Sequence, residues 1–94
     1  MSNEIDVECR PAGDGWQCHV RVGSDRDATE HEVGVSRAEL ESLAPGAGDP
    51  THLVASSFEL LLEREPREAI LRRFELSVIE RYFPGYRREI GSRL

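Results

Sequence analysis

The chain has 94 residues, of which 38% are hydrophobic and 32% are charged, and its formal net charge at pH 7 is −6. This length suits one small domain with one core, and the composition is that of a globular chain, which excludes a disordered one. The sequence lacks an apolar run of about 18 residues and begins with an acidic segment, so we expect no membrane span, no signal peptide and a cytoplasmic location.

The charge is divided unevenly along the chain. Residues 1–62 contain four arginines and twelve acidic residues, whereas residues 63–94 contain eight arginines and six glutamates. Lysine is absent, a composition typical of a GC-rich bacterial genome. An acidic first half repels phosphate, and the small basic excess of the second half is too weak to bind nucleic acid by itself. We therefore expect no nucleic-acid partner.

The first third of the chain predicts strands. Apolar and polar residues alternate over residues 5–10 and again over 16–22, with a Pro-Ala-Gly-Asp-Gly turn between them. This alternation is typical of half-buried strands joined as a hairpin. Two registers of the hairpin keep the apolar residues on one face. In one of them Cys9 pairs with Trp16, and in the other Cys9 pairs with Cys18.

A third strand is predicted over residues 29–35, after a polar turn at 23–28. Its apolar face carries His31, Val33 and Val35, and its other face carries Glu30 and Glu32. Short connections between successive strands predict an antiparallel meander with one wet face.

Two helices are predicted next. Ser36 and Glu39 have the spacing of a capping box, and the short helix that follows ends at Pro45. Asp49 and Pro50 predict the start of the second helix, with the aspartate as N-cap and the proline at the first helical position. The apolar stripe of this second helix consists of Leu53, Val54, Phe58, Leu61 and Leu62.

Residues 66–83 also show helical spacing of apolar residues, at Ile70, Leu71, Phe74, Val78 and Tyr82. A second capping-box pattern at Ser77 and Glu80 leaves open whether this stretch is one helix or two. Pro84 and Gly85 end it, and residues 86–94 are expected to form a short, Arg-rich, fraying tail. The predicted fold is one α+β domain over residues 1–94. It has a three-stranded antiparallel meander in 1–35 and three or four helices, packed on one face, in 36–85.

The segments Ser-Phe-Glu-Leu-Leu-Leu-Glu-Arg-Glu-Pro at 57–66, Ile-Leu-Arg-Arg-Phe at 70–74 and Ser-Val-Ile-Glu-Arg-Tyr-Phe-Pro at 77–84 carry a resemblance. The chain resembles a group of small bacterial proteins of unknown function over nearly its whole length. That resemblance brings no known activity with it.

The cysteines and histidines are candidate metal ligands. Strand parity places Cys9, Cys18 and His31 on one face and His19 on the other. The sequence lacks the paired ligand spacing of a zinc site. We therefore expect two reduced, buried thiols, no metal and no cofactor, since a reducing cytosol disfavours a disulfide.

The strongest functional signal is a cluster of Arg and Tyr residues, the types that are enriched in protein interfaces. The candidate partner-binding residues are Arg72, Arg73, Arg81, Tyr82, Tyr86, Arg87 and Arg88. The predicted function is a non-enzymatic binding or regulatory protein that acts through a protein partner or self-association. One alternative is a ribbon-helix-helix-like or antitoxin-like regulator that binds nucleic acid. Glu30 and Glu32 count against it, because these acidic side chains would face the phosphates of the nucleic acid and repel them. The other is a metal protein or enzyme that uses Cys9, Cys18 and His31.

Overall fold

The computed structural model describes residues 4–24 and 26–94, so residue 25 of the predicted turn 23–28 and residues 1–3 lie outside the described residues. Within them the fold is α+β. Its elements are β1 (Ile5–Ala12), β2 (Gly15–Val22), β3 (Thr29–Ser36), α1 (Arg37–Leu43), α2 (Thr51–Leu62), β4 (Arg73–Glu75), α3 (Val78–Tyr82) and α4 (Tyr86–Arg93). None of the helices in this part of the chain is long and apolar enough to cross a membrane.

The sheet has the strand order β1-β2-β3-β4. β1, β2 and β3 form the predicted antiparallel meander. The expectation of a purely antiparallel, three-stranded sheet is wrong, because β4 pairs in parallel with β3 and makes the sheet mixed. The connection from β3 to β4 contains α1 and α2. This agrees with the general requirement that two parallel strands be joined by a crossover of a dozen or more residues.

The hairpin register is the one that pairs Cys9 with Cys18. The connecting turn has two residues, and Gly13 adopts a φ of 61° while Asp14 has a negative φ. Glycine at the first central position is the requirement of a type II′ turn, which matches the twist of the flanking strands. This turn therefore fixes the register that the alternation alone left open.

The core lies between the apolar face of the sheet and the helices. Phe58 of α2 is central to it, with its ring centroid 5.2 Å from that of His31 and 6.1 Å from that of Phe74. The other large, fully buried side chains include Leu53, Leu60, Leu76, Tyr86 and Ile90. The helices are packed on one face of the sheet, and the other face is polar.

The predicted starts of the first two helices are close to the observed ones. The Ser36 Oγ accepts a hydrogen bond from the Glu39 amide at 3.0 Å, and the Glu39 carboxylate accepts one from the Ser36 amide at 3.2 Å. α2 begins at Thr51, one residue later than predicted, with Pro50 before it. The Asp49 carboxylate accepts a hydrogen bond from the Thr51 amide at 2.8 Å.

The helical prediction for residues 66–83 is wrong over most of its length. A 3₁₀ turn at Arg67–Ala69 is followed by β4, and α3 begins only at Val78. Backbone hydrogen bonds to β3 hold the segment extended, from the Glu32 amide to the Arg72 carbonyl and from the Leu76 amide to the Gly34 carbonyl. The second predicted capping box does not form, since the Ser77 side chain makes no capping hydrogen bond.

The C-terminal residues are helical and partly buried. α4 packs against α2, and its Tyr86 and Ile90 side chains are buried in the core. Arg93 of α4 also forms an ion pair with Glu63 at the end of α2. The expectation of a fraying tail is therefore wrong, because the apolar side of α4 completes the core.

Candidate functional site: an apolar groove beside β4

An apolar groove of about 470 Å³ lies at the C-terminal end of α2, between β4 and α3. We call it the apolar groove. Its apolar wall is formed mainly by Leu61, Ile70, Leu71, Phe74, Ile79 and Phe83. Its walls come from the end of α2, from the segment 69–74 that leads into β4, and from α3 with the residues that follow it.

Two large apolar side chains beside the groove face solvent. Leu71 is 48% exposed and Tyr82 is 75% exposed, and both line the groove. Among the described residues, Leu94 at 43% is the other exposed large hydrophobic side chain. Contiguous exposed apolar surface beside a cavity is typical of an interaction site, whereas scattered single residues are not.

The charged residues of the groove lining are one arginine and one glutamate. The Arg64 guanidinium lies 3.9 Å from the ring centroid of Phe83, a cation–π contact that holds both side chains at the wall. Glu65 also lines the groove. Arg72 and Arg81 adjoin Leu71 and Tyr82 in sequence, are exposed, and form no ion pair with any described residue.

The structure brings only part of the predicted partner-binding set to the groove. Tyr82 lines it, whereas Arg72 and Arg81 are exposed and adjoin Leu71 and Tyr82 only in the sequence. Arg73 points to the opposite, polar face of the sheet, where it lines a second cavity. Arg88 is exposed on α4.

The two remaining members of the set have intramolecular partners. Tyr86 is 1% exposed, so it belongs to the core and offers no surface for docking. Arg87 forms a 2.7 Å ion pair with Glu80 and donates a 2.6 Å hydrogen bond to the Ser42 Oγ. These contacts join α4 to α3 and α1.

The two cysteines form a disulfide between β1 and β2. The expectation of reduced thiols is wrong, because the register places the two residues directly opposite each other. Disulfides are typical of oxidising compartments, so this bond is at odds with the predicted cytoplasmic location. Within residues 4–24 and 26–94, no three Cys, His, Asp or Glu side chains are grouped to hold a metal ion.

His31 is a buried core histidine. Its Nδ1 lies 2.8 Å from the Leu71 carbonyl oxygen and its Nε2 lies 2.9 Å from the Thr29 Oγ1. A carbonyl only accepts, so Nδ1 carries the proton and the Thr29 hydroxyl donates to Nε2. Burial lowers the pKa of His31, although the bond to the Leu71 carbonyl opposes the change. Both ring nitrogens are engaged, which leaves neither for a metal.

The polar face of the sheet carries cross-strand charge pairs. His19 of β2 lies between two carboxylates of β3, with Nε2 2.8 Å from Glu30 and Nδ1 3.0 Å from Glu32. Beside them is a polar cavity of about 510 Å³, whose lining includes Arg10, Gln17, Glu32, Arg73 and Glu75. Its charges are balanced in sign, as expected of a solvated sheet face.

The sequence analysis missed Leu61, Arg64, Ile70 and Leu71 as groove residues, because their apolar members fit a helical core stripe. The available signal in the sequence was the adjacency of Leu71 and Tyr82 to arginines. Comparison of the chain with protein-family models, with curated proteins and with solved structures gives no match.

Proposed function

We propose that the protein is a non-enzymatic binding protein whose apolar groove receives a segment of another protein. The supporting observation is the exposure of Leu71 and Tyr82 on the groove. Arg72 and Arg81, their neighbours in the sequence, are exposed and form no ion pair with any described residue. The occupant that fits is a segment with one or two bulky apolar side chains flanked by Asp or Glu. The apolar groups would fill the groove, as in helix-in-groove recognition, and the acids would meet the arginines.

A ribbon-helix-helix mode of DNA binding receives no support from the sheet. In that mode the strand of one copy pairs with the strand of a second copy to form the ribbon that enters the major groove. Here β3 is paired on both sides, with β2 and with β4. Its outward side chains include the acidic Glu30 and Glu32, which repel phosphate.

The test uses a random peptide library displayed on phage. We expect the selected peptides to combine a bulky apolar residue with neighbouring Asp or Glu, and synthetic copies to bind more weakly at high salt. Leu71→Ser should weaken binding by at least about tenfold, because it removes apolar contact area from the groove.

The matched control is Leu94→Ser, which removes an exposed leucine of similar accessibility outside the groove. It should bind the selected peptides as the original protein does. Arg72→Glu with Arg81→Glu should reverse the charge preference of the selected peptides. Peptides without the apolar and acidic combination, or equal binding by Leu71→Ser and Leu94→Ser, would show that the groove is not the binding site.

A further inference from the structure

β1 is an edge strand whose free side can be identified from its hydrogen bonds to β2. The Gly23 amide donates to the Glu4 carbonyl at 2.8 Å, so even-numbered residues of this strand occupy the hydrogen-bonded positions. Cys9 and Cys18 have a Cα–Cα distance of 4.0 Å, which is typical of a non-hydrogen-bonded pair. The odd-numbered residues Ile5, Val7 and Cys9 therefore direct their N–H and C=O groups away from β2.

The free edge has no described strand partner, because β1 ends the strand order. Helix α2 packs against β1. Pro11 is also odd-numbered, so its missing N–H falls on the free edge and leaves the ladder with β2 intact. The edge thus offers three donors, at Ile5, Val7 and Cys9, before the proline interrupts it.

We infer that this edge pairs with β1 of a second copy of the chain, antiparallel, with Cys9 on the two-fold axis. When the two-fold axis passes through a residue of the strand, even-numbered polar residues of one copy face even-numbered polar residues of the other. An axis between two residues would instead place polar residues opposite apolar ones. The charges of Asp6, Glu8 and Arg10 distinguish these registers, because directly opposed like charges are destabilising.

Among the registers centred on residues 6 to 10, one avoids opposing like charges among Asp6, Glu8 and Arg10. With Asp6 on the axis, the two Asp6 side chains face each other. With Val7 on the axis, Asp6 of one copy faces Glu8 of the other. With Glu8 on the axis the two Glu8 side chains face each other, and with Arg10 on the axis the two Arg10 side chains do so. With Cys9 on the axis, Glu8 of each copy faces Arg10 of the other, and both pairs attract. The Cys9 amides and carbonyls bond to each other, and each Val7 amide reaches the carbonyl of the opposite Pro11.

This pairing leaves the apolar groove open. The groove lies beside β4, at the opposite edge of the sheet from β1. The dimer joins two four-stranded sheets side by side and presents one groove at each outer end. The dimer does not depend on the proposed function of the groove, so each can fail alone.

The test measures self-association by sedimentation equilibrium at protein concentrations from about 10 µM to 1 mM, since a short strand edge makes a small interface. We expect a monomer–dimer equilibrium. Arg10→Glu should raise the dissociation constant about tenfold, because two attractive pairs become repulsive. The combined Glu8→Arg and Arg10→Glu exchange should restore the original constant, since each pair is again of opposite sign.

A backbone variant tests the edge independently of charge. Val7→Pro removes a free-edge donor without removing a bond to β2, whereas Val7→Ala keeps the donor and loses similar side-chain packing. We expect Val7→Pro to be monomeric and Val7→Ala to dimerise, with circular dichroism confirming that both are folded. A monomer throughout the concentration range, no rescue by the charge exchange, or a dimer of Val7→Pro equal to that of Val7→Ala would overturn the inference.

Discussion

The hydroxyl oxygen of Tyr86 lies 2.7 Å from the Oγ of Ser57, inside the core. The Ser57 hydroxyl donates its own proton to the Leu53 carbonyl at 2.8 Å, so Tyr86 is the donor to Ser57. Burial raises the pKa of Tyr86 to about 12. This buried pair fixes α4 on α2.

Tyr86→Phe should lower the free energy of unfolding by about 0.5–1.5 kcal/mol, the usual net contribution of one hydrogen bond. Tyr86→Ala should cost about 3–5 kcal/mol, because it also leaves a cavity. Urea denaturation followed by circular dichroism measures both. Arg88→Ala is the control, since this exposed residue of α4 forms no ion pair among the described residues, and its effect should stay within about 0.5 kcal/mol.

Deletion of residues 86–94 should abolish or severely reduce cooperative unfolding. The deletion removes Tyr86 and Ile90 and exposes the side of α2 that they cover. The sequence alone predicts a loss of only about 0–2 kcal/mol for the same deletion, as for a frayed tail. Thermal denaturation of the 1–85 form separates the two expectations, and a melting temperature close to that of the full chain would contradict the burial of α4.

Local sequence signals predicted the parts of the fold that depend on local interactions. Alternating residues gave β1 to β3, and the Ser36 capping box gave the start of α1. The failure lies at residues 66–83, where Ile70, Leu71 and Phe74 fit a helical stripe equally well. Their extended state depends on bonds to β3, about 40 residues earlier, and spacing within the segment does not encode that pairing.

The apolar groove was beyond prediction for the same reason. Its walls come from the end of α2, from β4 and from α3, and β4 is held in place by its pairing with β3. Tyr82, Arg72 and Arg81 were predicted to bind a partner from residue type alone, and of these Tyr82 lines the groove. Tyr86 was misassigned because its burial depends on Ser57, a residue that local patterns do not connect to it.

The Cys9–Cys18 disulfide should withstand purification without reductant and contribute about 2–4 kcal/mol to the free energy of unfolding. Denatured protein should then show no free thiol until reductant is added. The urea midpoint should fall in reductant for the original protein and stay unchanged for the Cys9→Ala, Cys18→Ala double variant. Two free thiols in protein purified without reductant would contradict the disulfide.

The His19 cluster should make a small, pH-dependent contribution to stability. The hydrogen bond to Glu32 raises the pKa of His19 above 6.5, with burial opposing it, and the bond from His19 lowers the pKa of Glu32 below 4.5. The His19 contribution is complete below pH 6.5 and is lost as pH rises through the raised pKa, whereas the Glu32 contribution is complete above pH 4.5 and is lost as pH falls through the lowered pKa.

The cluster is therefore most stabilising between about pH 4.5 and 6.5, and by less than about 1 kcal/mol, because solvent screens these side chains. An NMR titration of the His19 ring measures the pKa directly. Glu32→Gln should lower the pKa of His19, whereas Glu41→Gln, an exposed change on α1, should leave it unchanged. An unaltered His19 pKa in Glu32→Gln would contradict the cluster.

Two glycines in the sheet should respond differently to replacement by alanine. A Cβ on Gly15 would meet the Val35 carbonyl and lie 2.9 Å from the Ser36 Cα, which are backbone atoms of the paired strand. A Cβ on Gly34 would meet the Glu75 carboxylate, the end of a flexible, exposed side chain. Gly15→Ala should therefore cost about 1–3 kcal/mol, because β2 and β3 must separate.

Gly34→Ala should change the free energy of unfolding by less than about 1 kcal/mol, since Glu75 can swing into solvent and alanine reduces the entropy of the unfolded chain. A thermodynamic cycle with Glu75→Ala checks the cause, because any cost of Gly34→Ala should disappear once the carboxylate is gone. Urea midpoints of the three Gly34 and Glu75 variants, compared with Gly15→Ala, complete the measurement. Equal losses at the two glycines would contradict the close approach of β3 to Gly15 as the source of the cost.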